Sequence, residues 1–120
     1  MNKCYRLKKN YEIEKVIQSK KSVGNIYYAI YYSESSTDKP KIAFSVSKKI
    51  GNAVVRNKEK RILREIIRNN ISNLDILNYL IIAKNKSLQL SFEEKQKEIC
   101  NLFNRINKKE KKQWTEKNQS

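Results

Sequence analysis

Between residues 6 and 21 the apolar positions Leu7, Tyr11, Ile13, Val16 and Ile17 stand among basic residues, and Ile13 and Ile17 are one helical turn apart. Asn10 is placed to cap this helix, with Glu12 and Glu14 near its start, where the helix dipole favours carboxylates. The period then drops to two. Over residues 23–33, Ile26, Tyr28, Ile30 and Tyr32 fall on one face of a strand, and Tyr27, Ala29 and Tyr31 on the other. SESSTDKP is rich in turn formers, and residues 41–48 alternate again. Ile42, Phe44 and Val46 point one way, Ala43, Ser45 and Ser47 the other. The pattern predicts two neighbouring antiparallel strands with one bulky apolar face. Their other face is a shallow groove floored by Ala29, Ala43 and Ser45 and flanked by Tyr27 and Tyr31.

Helical periodicity returns after Gly51. Over residues 52–71, Val55, Ile62, Leu63 and Ile66 share one flank. Asn57, Lys60, Arg61, Arg64 and Arg68 follow the spacing of an opposite face, with Arg56 at its edge, Lys58 and Glu65 off it, and Ile67 interrupting it. Residues 79–84, YLIIAK, form a continuous apolar run, as in a strand buried on both sides. Strand, helix and strand make a βαβ unit whose two strands can be parallel neighbours. Ser91 and Glu94 have capping-box spacing ahead of a helix that carries Phe92, Ile99, Leu102, Phe103 and Ile106 and runs to about residue 107. Residues 108–120 have no apolar period and read as a disordered basic tail. The length fits one domain, residues 1–107, and no internal repeat is visible.

Charge changes the picture most. The 27 basic and 12 acidic residues give a formal net charge of +15, a self-repulsion that an anionic partner offsets. Four of the six arginines (Arg56, Arg61, Arg64 and Arg68) fall within thirteen residues of the central helix. A solvated face is the default reading of a charge run. Such a face would mix signs, because like charges at i, i+4 repel, yet Glu59 and Glu65 fall off the stripe. Arginine also supplies a planar fork that grips phosphate bidentately. Tyrosines in a groove are ordinary strand residues; beside a cationic helix they suit single-stranded nucleic acid, bases stacking while cations follow the phosphates.

The same composition removes other classes. No histidine is present, so the commonest general base and the Ser-His and Cys-His pairs are missing. Cys4 and Cys100 fall short of the usual zinc ligand set, and free thiols fit a cytoplasmic protein. The acids show no convergent group of the kind a two-metal nuclease needs, and Gly24 and Gly51 cannot build a Gly-rich phosphate loop. No apolar run approaches the roughly 20 residues of a spanning helix. MNKCYRLKKNYEIEK has charges where a signal peptide needs an apolar core. The expectation is a cytoplasmic protein with no catalytic side chains and no metal site of its own.

The run SVSKKIGNAVVRNKEKRILRE, the earlier RLKKNYEIEKVI and the later YLIIAKN with its closing helix resemble the bacterial ribonuclease P protein component, in order and spacing, over about residues 5–107. The family's Arg-Asn-Arg triplet reads Arg56-Asn57-Lys58 here, and Ile13 and Ile17 stand where relatives commonly carry phenylalanine. The resemblance implies an α+β sandwich ordered α-β-β-β-α-β-α, with a mixed sheet and a left-handed βαβ crossover. It implies that a large RNA subunit is the catalyst, holding Mg2+ that the protein alone does not bind. It implies as partners that ribonuclease P RNA and precursor transfer RNA, with neither membrane nor DNA, in a complex that hydrolyses the phosphodiester at the mature 5′ end. By position, Lys48, Lys49, Arg56, Asn57, Lys58, Lys60, Arg61, Arg64 and Arg68 are then expected to bind RNA. Ile13, Ile17, Tyr27, Ala29, Tyr31 and Ser45, with Lys49, are expected to hold the single-stranded 5′ leader. A ribosomal or RNA-assembly protein without a processing role shares the charge and groove. A DNA-binding regulator is the weaker rival, since such reading helices sit on helical scaffolds and act as dimers.

Overall fold

The computed structural model describes residues 5–7, 9–35 and 37–118, with side chains to Asn107. Its elements are α1 (Asn10–Gln18), β1 (Ser22–Gly24), β2 (Tyr28–Glu34), β3 (Lys41–Val46), α2 (Ala53–Asn70), β4 (Leu77–Ala83) and α3 (Phe92–Asn118), with 3-10 turns at Ile71–Asn73 and Asn85–Gln89. This is the expected α-β-β-β-α-β-α order. The sheet runs β1-β2-β4-β3, with β4 antiparallel to β2 and parallel to β3.

The two strands expected to be neighbours are therefore separated. Their antiparallel sense holds, but β4 lies between them, and the reason is in its composition. Leu77–Ala83 is buried at every position but Ile82, which is half-buried, and a strand apolar on both faces is covered only at the centre of a sheet. The βαβ expectation holds, since β3 and β4 pair in register from Lys41↔Asn78 to Val46↔Ala83.

The expected strand over 23–33 is interrupted. Oδ1 of Asn25 accepts from the N–H groups of Tyr27 and Tyr28, both at 2.8 Å, and the resulting turn divides it into β1 and β2. Ile26, expected in the core, sits in that turn 55% exposed. The rest of the alternation holds: Tyr28, Ile30 and Tyr32 are buried, as are Ile42 and Val46.

Helices cover both faces. Against the bulky face lie α2, through Leu63, Ile66 and Ile67, and α3, through Ile99, Leu102, Phe103 and Ile106, forming the main core. Ile67, expected to break the basic stripe, is fully buried. At 100° per residue it stands only 40° from Leu63, which lies within the face buried in the main core. On the other face α1 inserts Val16 into a smaller cluster with Leu7, Ala43 and Leu80. Lys9, not Asn10, is the N-cap of α1, and it makes no side-chain cap bond. In α3 the capping box forms as expected: Ser91 N–H donates to Glu94 Oε1 at 3.1 Å, and Glu94 N–H to Ser91 Oγ at 3.2 Å. That helix does not stop at 107; its backbone continues to Asn118. Residues 108–118 contain neither glycine nor proline and are mostly straight-chain helix formers, so nothing in them ends a helix already propagating.

Candidate nucleic-acid interface

The interface starts with a turn. After β3, residues 47–52 carry Lys48 and Lys49, both exposed, into the N-terminus of α2. Oδ1 of Asn52 caps that helix by accepting from Val55 N–H at 3.1 Å. Gly51 permits the close approach: a Cβ there would stand 2.9 Å from Val55 Cβ and Cγ1. Down the helix, Asn57, Lys58, Arg61 and Arg68 are exposed, while Arg56, Lys60 and Arg64 are partly buried. Arg61, Arg64, Glu65 and Arg68 line a shallow depression of about 290 Å3.

The two acids expected to keep off this surface behave differently. Glu59 points inward and is bound to Lys95 of α3. Glu65 does not stay clear, because both of its oxygens accept from Arg68 Nη2 at 2.6 Å. Arg68 is thus occupied by an exposed ion pair in the free protein, whereas Arg61 and Arg64 flank it. Nε of Arg56 is buried without a hydrogen-bond partner.

On the opposite sheet face the registers define three rows: Ser33–Asn78–Lys41, Tyr31–Leu80–Ala43 and Ala29–Ile82–Ser45. Helix α1 covers the middle row, with Ile13, Tyr31 and Ile82 packed at the margin of its cluster. The row Ala29–Ile82–Ser45 remains the open one, with Ser45 exposed and Ala29 and Ile82 half-buried. Ile17 on α1 is 47% exposed. Tyr27 precedes β2 and packs against the main core instead. The structure thus gathers Ile13, Ala29, Tyr31 and Ser45 on the groove side and leaves Tyr27 outside that cluster. Ile82, which sequence reasoning missed, forms its central floor, and Leu80, missed likewise, lies beside it under α1. Their only signal was the period of two inside YLIIAK, hidden because its other face is equally apolar. A surface cavity of about 610 Å3 lies elsewhere, between the end of α1 and the end of β2.

Among the described residues no three His, Cys, Asp or Glu side chains group as a metal site. Burial pushes the Cys100 thiol above its ordinary pKa, away from the reactive thiolate; Cys4 lies outside the described residues. Burial likewise raises the Tyr28 hydroxyl well above its usual range. Among the described residues no helix is long and apolar enough to cross a membrane.

Fold and surface define a class: a small cationic α+β domain with one arginine-rich helix face and one open sheet face. Comparison with known proteins narrows it. The Ribonuclease P family model matches residues 1–107. The chain is 37% identical over 102 residues to the ribonuclease P protein component of Mycoplasma mycoides, covering 83% of this chain and 94% of that one. It is 38% identical over 104 residues to that of Bacillus velezensis, covering 86% and 90%. Among solved structures, a mutant Staphylococcus aureus RNase P protein superposes with a TM-score of 0.83 at 29% identity, over 88% of this chain and 90% of that one. The Thermotoga maritima RNase P protein gives 0.77 at 27%, over 83% and 96%. This chain belongs to the ribonuclease P protein family.

Proposed function

We propose that the chain acts as the protein subunit of a ribonucleoprotein ribonuclease P, in which the RNA subunit performs the cleavage and this subunit supplies grip and charge. Its place is in 5′ maturation of transfer RNA, the role its family defines; a purely ribosomal or assembly role is not favoured. Helix α2 docks on phosphates of ribonuclease P RNA through Arg61, Arg64 and Arg68, with Lys48, Lys49, Arg56, Asn57, Lys58 and Lys60 around them. The open sheet face holds the single-stranded leader of precursor transfer RNA, Ala29, Ile82 and Ser45 giving it a shallow floor and Ile17 an apolar side. The required Mg2+ belongs mainly to the RNA.

The observation that carries this reading is the position of the basic face. It starts where β3 ends, so the cations of residues 48–61 follow directly from the strand whose Ser45 opens the groove. One protein can then hold a leader and an RNA scaffold together. By neutralising phosphates it releases counterions and screens RNA–RNA repulsion, which lowers the Mg2+ concentration needed for docking. The test is 5′ processing of a precursor by a bacterial ribonuclease P RNA, with and without the purified protein, across Mg2+ concentrations. A shift to lower Mg2+ is expected; an unmoved curve refutes the reading.

A further inference from the structure

Helices α2 and α3 meet through a charged pair where an apolar one would serve. Glu59 and Lys95 are each only 4% exposed, and Lys95 Nζ donates to both Glu59 oxygens, at 2.9 and 3.1 Å. Burying two charges is expensive, and apolar residues of similar volume in such a place are often as stable or more so. Apolar contact has no direction, however. A two-point, charge-assisted hydrogen bond fixes both distance and angle.

The place of Glu59 on its helix gives that directionality a use. At 100° per residue, Asn57, Arg61, Arg64 and Arg68 lie about 140–200° around α2 from Glu59. A carboxylate pinned inward by α3 therefore turns the basic stripe outward. Rotating α2 by about 20° would move an atom ~6 Å from its axis by about 2 Å. That is several times the spread of acceptable hydrogen-bond distances, enough to detach a guanidinium from a phosphate.

Resting on the reading of α2 as the RNA-docking helix, we propose that Glu59 and Lys95 are positioning residues. Their buried ion pair locks the rotation of α2 so that its arginines meet RNA phosphates in register. The pair touches no RNA itself; it acts through Asn57, Arg61, Arg64 and Arg68.

The test reads thermal unfolding and RNA binding on the same proteins, with a bacterial ribonuclease P RNA transcript as the probe, titrated across NaCl well below the Tm. Glu59→Leu/Lys95→Met removes the pair and leaves the net charge unchanged. The expected result is a Tm equal to or above that of the parent. RNA affinity falls about fivefold to tenfold, and the salt slope is shallower by about one unit, the signature of one lost phosphate contact. A folded double variant with parental affinity and slope overturns the proposal. Should that variant fail to fold, Glu59→Gln keeps the volume and one of the two hydrogen bonds. It adds a unit of positive charge, so electrostatics alone predicts tighter binding; weaker binding supports the lock, and equal or tighter binding overturns it. If the parent chain itself does not bind the transcript, the assignment of α2 falls and the lock with it, a result distinct from a parent and a variant that bind equally.

Discussion

Arg68 and Glu65 show how one side chain can hold a cation in reserve. Their pair is solvent-exposed, with side-chain exposures of 62% and 42%, and exposed pairs contribute little to stability, about 0–1 kcal/mol. Glu65→Gln should therefore leave the Tm nearly unchanged while tightening RNA binding a few-fold, since Arg68 is freed and an anion leaves the interface; a filter-binding titration checks this. Arg61→Ala and Arg64→Ala should instead weaken binding and make log K against log[salt] shallower by about one unit per lost phosphate contact. An unaltered slope takes that arginine off the RNA. In the groove, Ser45 is exposed on the open row, so Ser45→Glu places a carboxylate beside any bound leader without disturbing the core. Affinity for leader-bearing precursor should drop several-fold, and affinity for mature transfer RNA should stay near its starting value. Equal losses for both would move the leader elsewhere.

At the scale of elements, the start of α2 decides whether the basic face is presented at all. A methyl group on Gly51 would collide with the Cβ of Val55, which is fixed to the helix backbone and cannot swing aside. Gly51→Ala should destabilise the fold by about 1–3 kcal/mol in chemical denaturation, and Val55→Ala in the same chain should recover part of that loss. At α3, Glu94 is held below the ordinary carboxylate pKa by the backbone N–H of Ser91 first and by its hydroxyl second. A lowered folded-state value means that its support is present at neutral pH and is lost as the pH falls through that value. Much of this was legible in advance. The Ser91–Glu94 spacing, the alternation of β2 and β3 and the apolar run of β4 are local patterns with one physical reading each. The strand order was less accessible, because alternation says which face a residue occupies and not which strand lies beside it. Ile67 stands 40° from Leu63 and 20° from Lys60 around α2, at the border of the two faces, where spacing alone does not choose between them. The division of 23–33 rested on Asn25 bonding backbone N–H groups, which no apolar period reveals.

Over the whole molecule, the net charge of +15 sets two opposed salt responses. Raising NaCl from low to moderate concentration should increase the Tm, because it screens self-repulsion, and should lower RNA affinity, because each released counterion gains less entropy in a more concentrated salt. A Tm that falls with salt would show that ion pairs such as Arg68–Glu65 outweigh the repulsion. The sheet edges are also managed at this scale. β1 is only three residues long, and on the β3 side the chain near its beginning closes against Ile42, with Leu7 N–H donating to its carbonyl at 3.0 Å.

The central position of β4 carries a consequence for biosynthesis. On a translating ribosome, β2 and β3 emerge before the strand that joins them, and among the described strands β3 pairs with β4 alone. Until residues 77–83 clear the exit tunnel, the nascent chain carries a finished cationic helix on an unfinished scaffold. Stalled or truncated products ending before β4 therefore expose the apolar side of α2 together with its arginines, a combination suited to indiscriminate adhesion to nearby RNA and to chaperone capture.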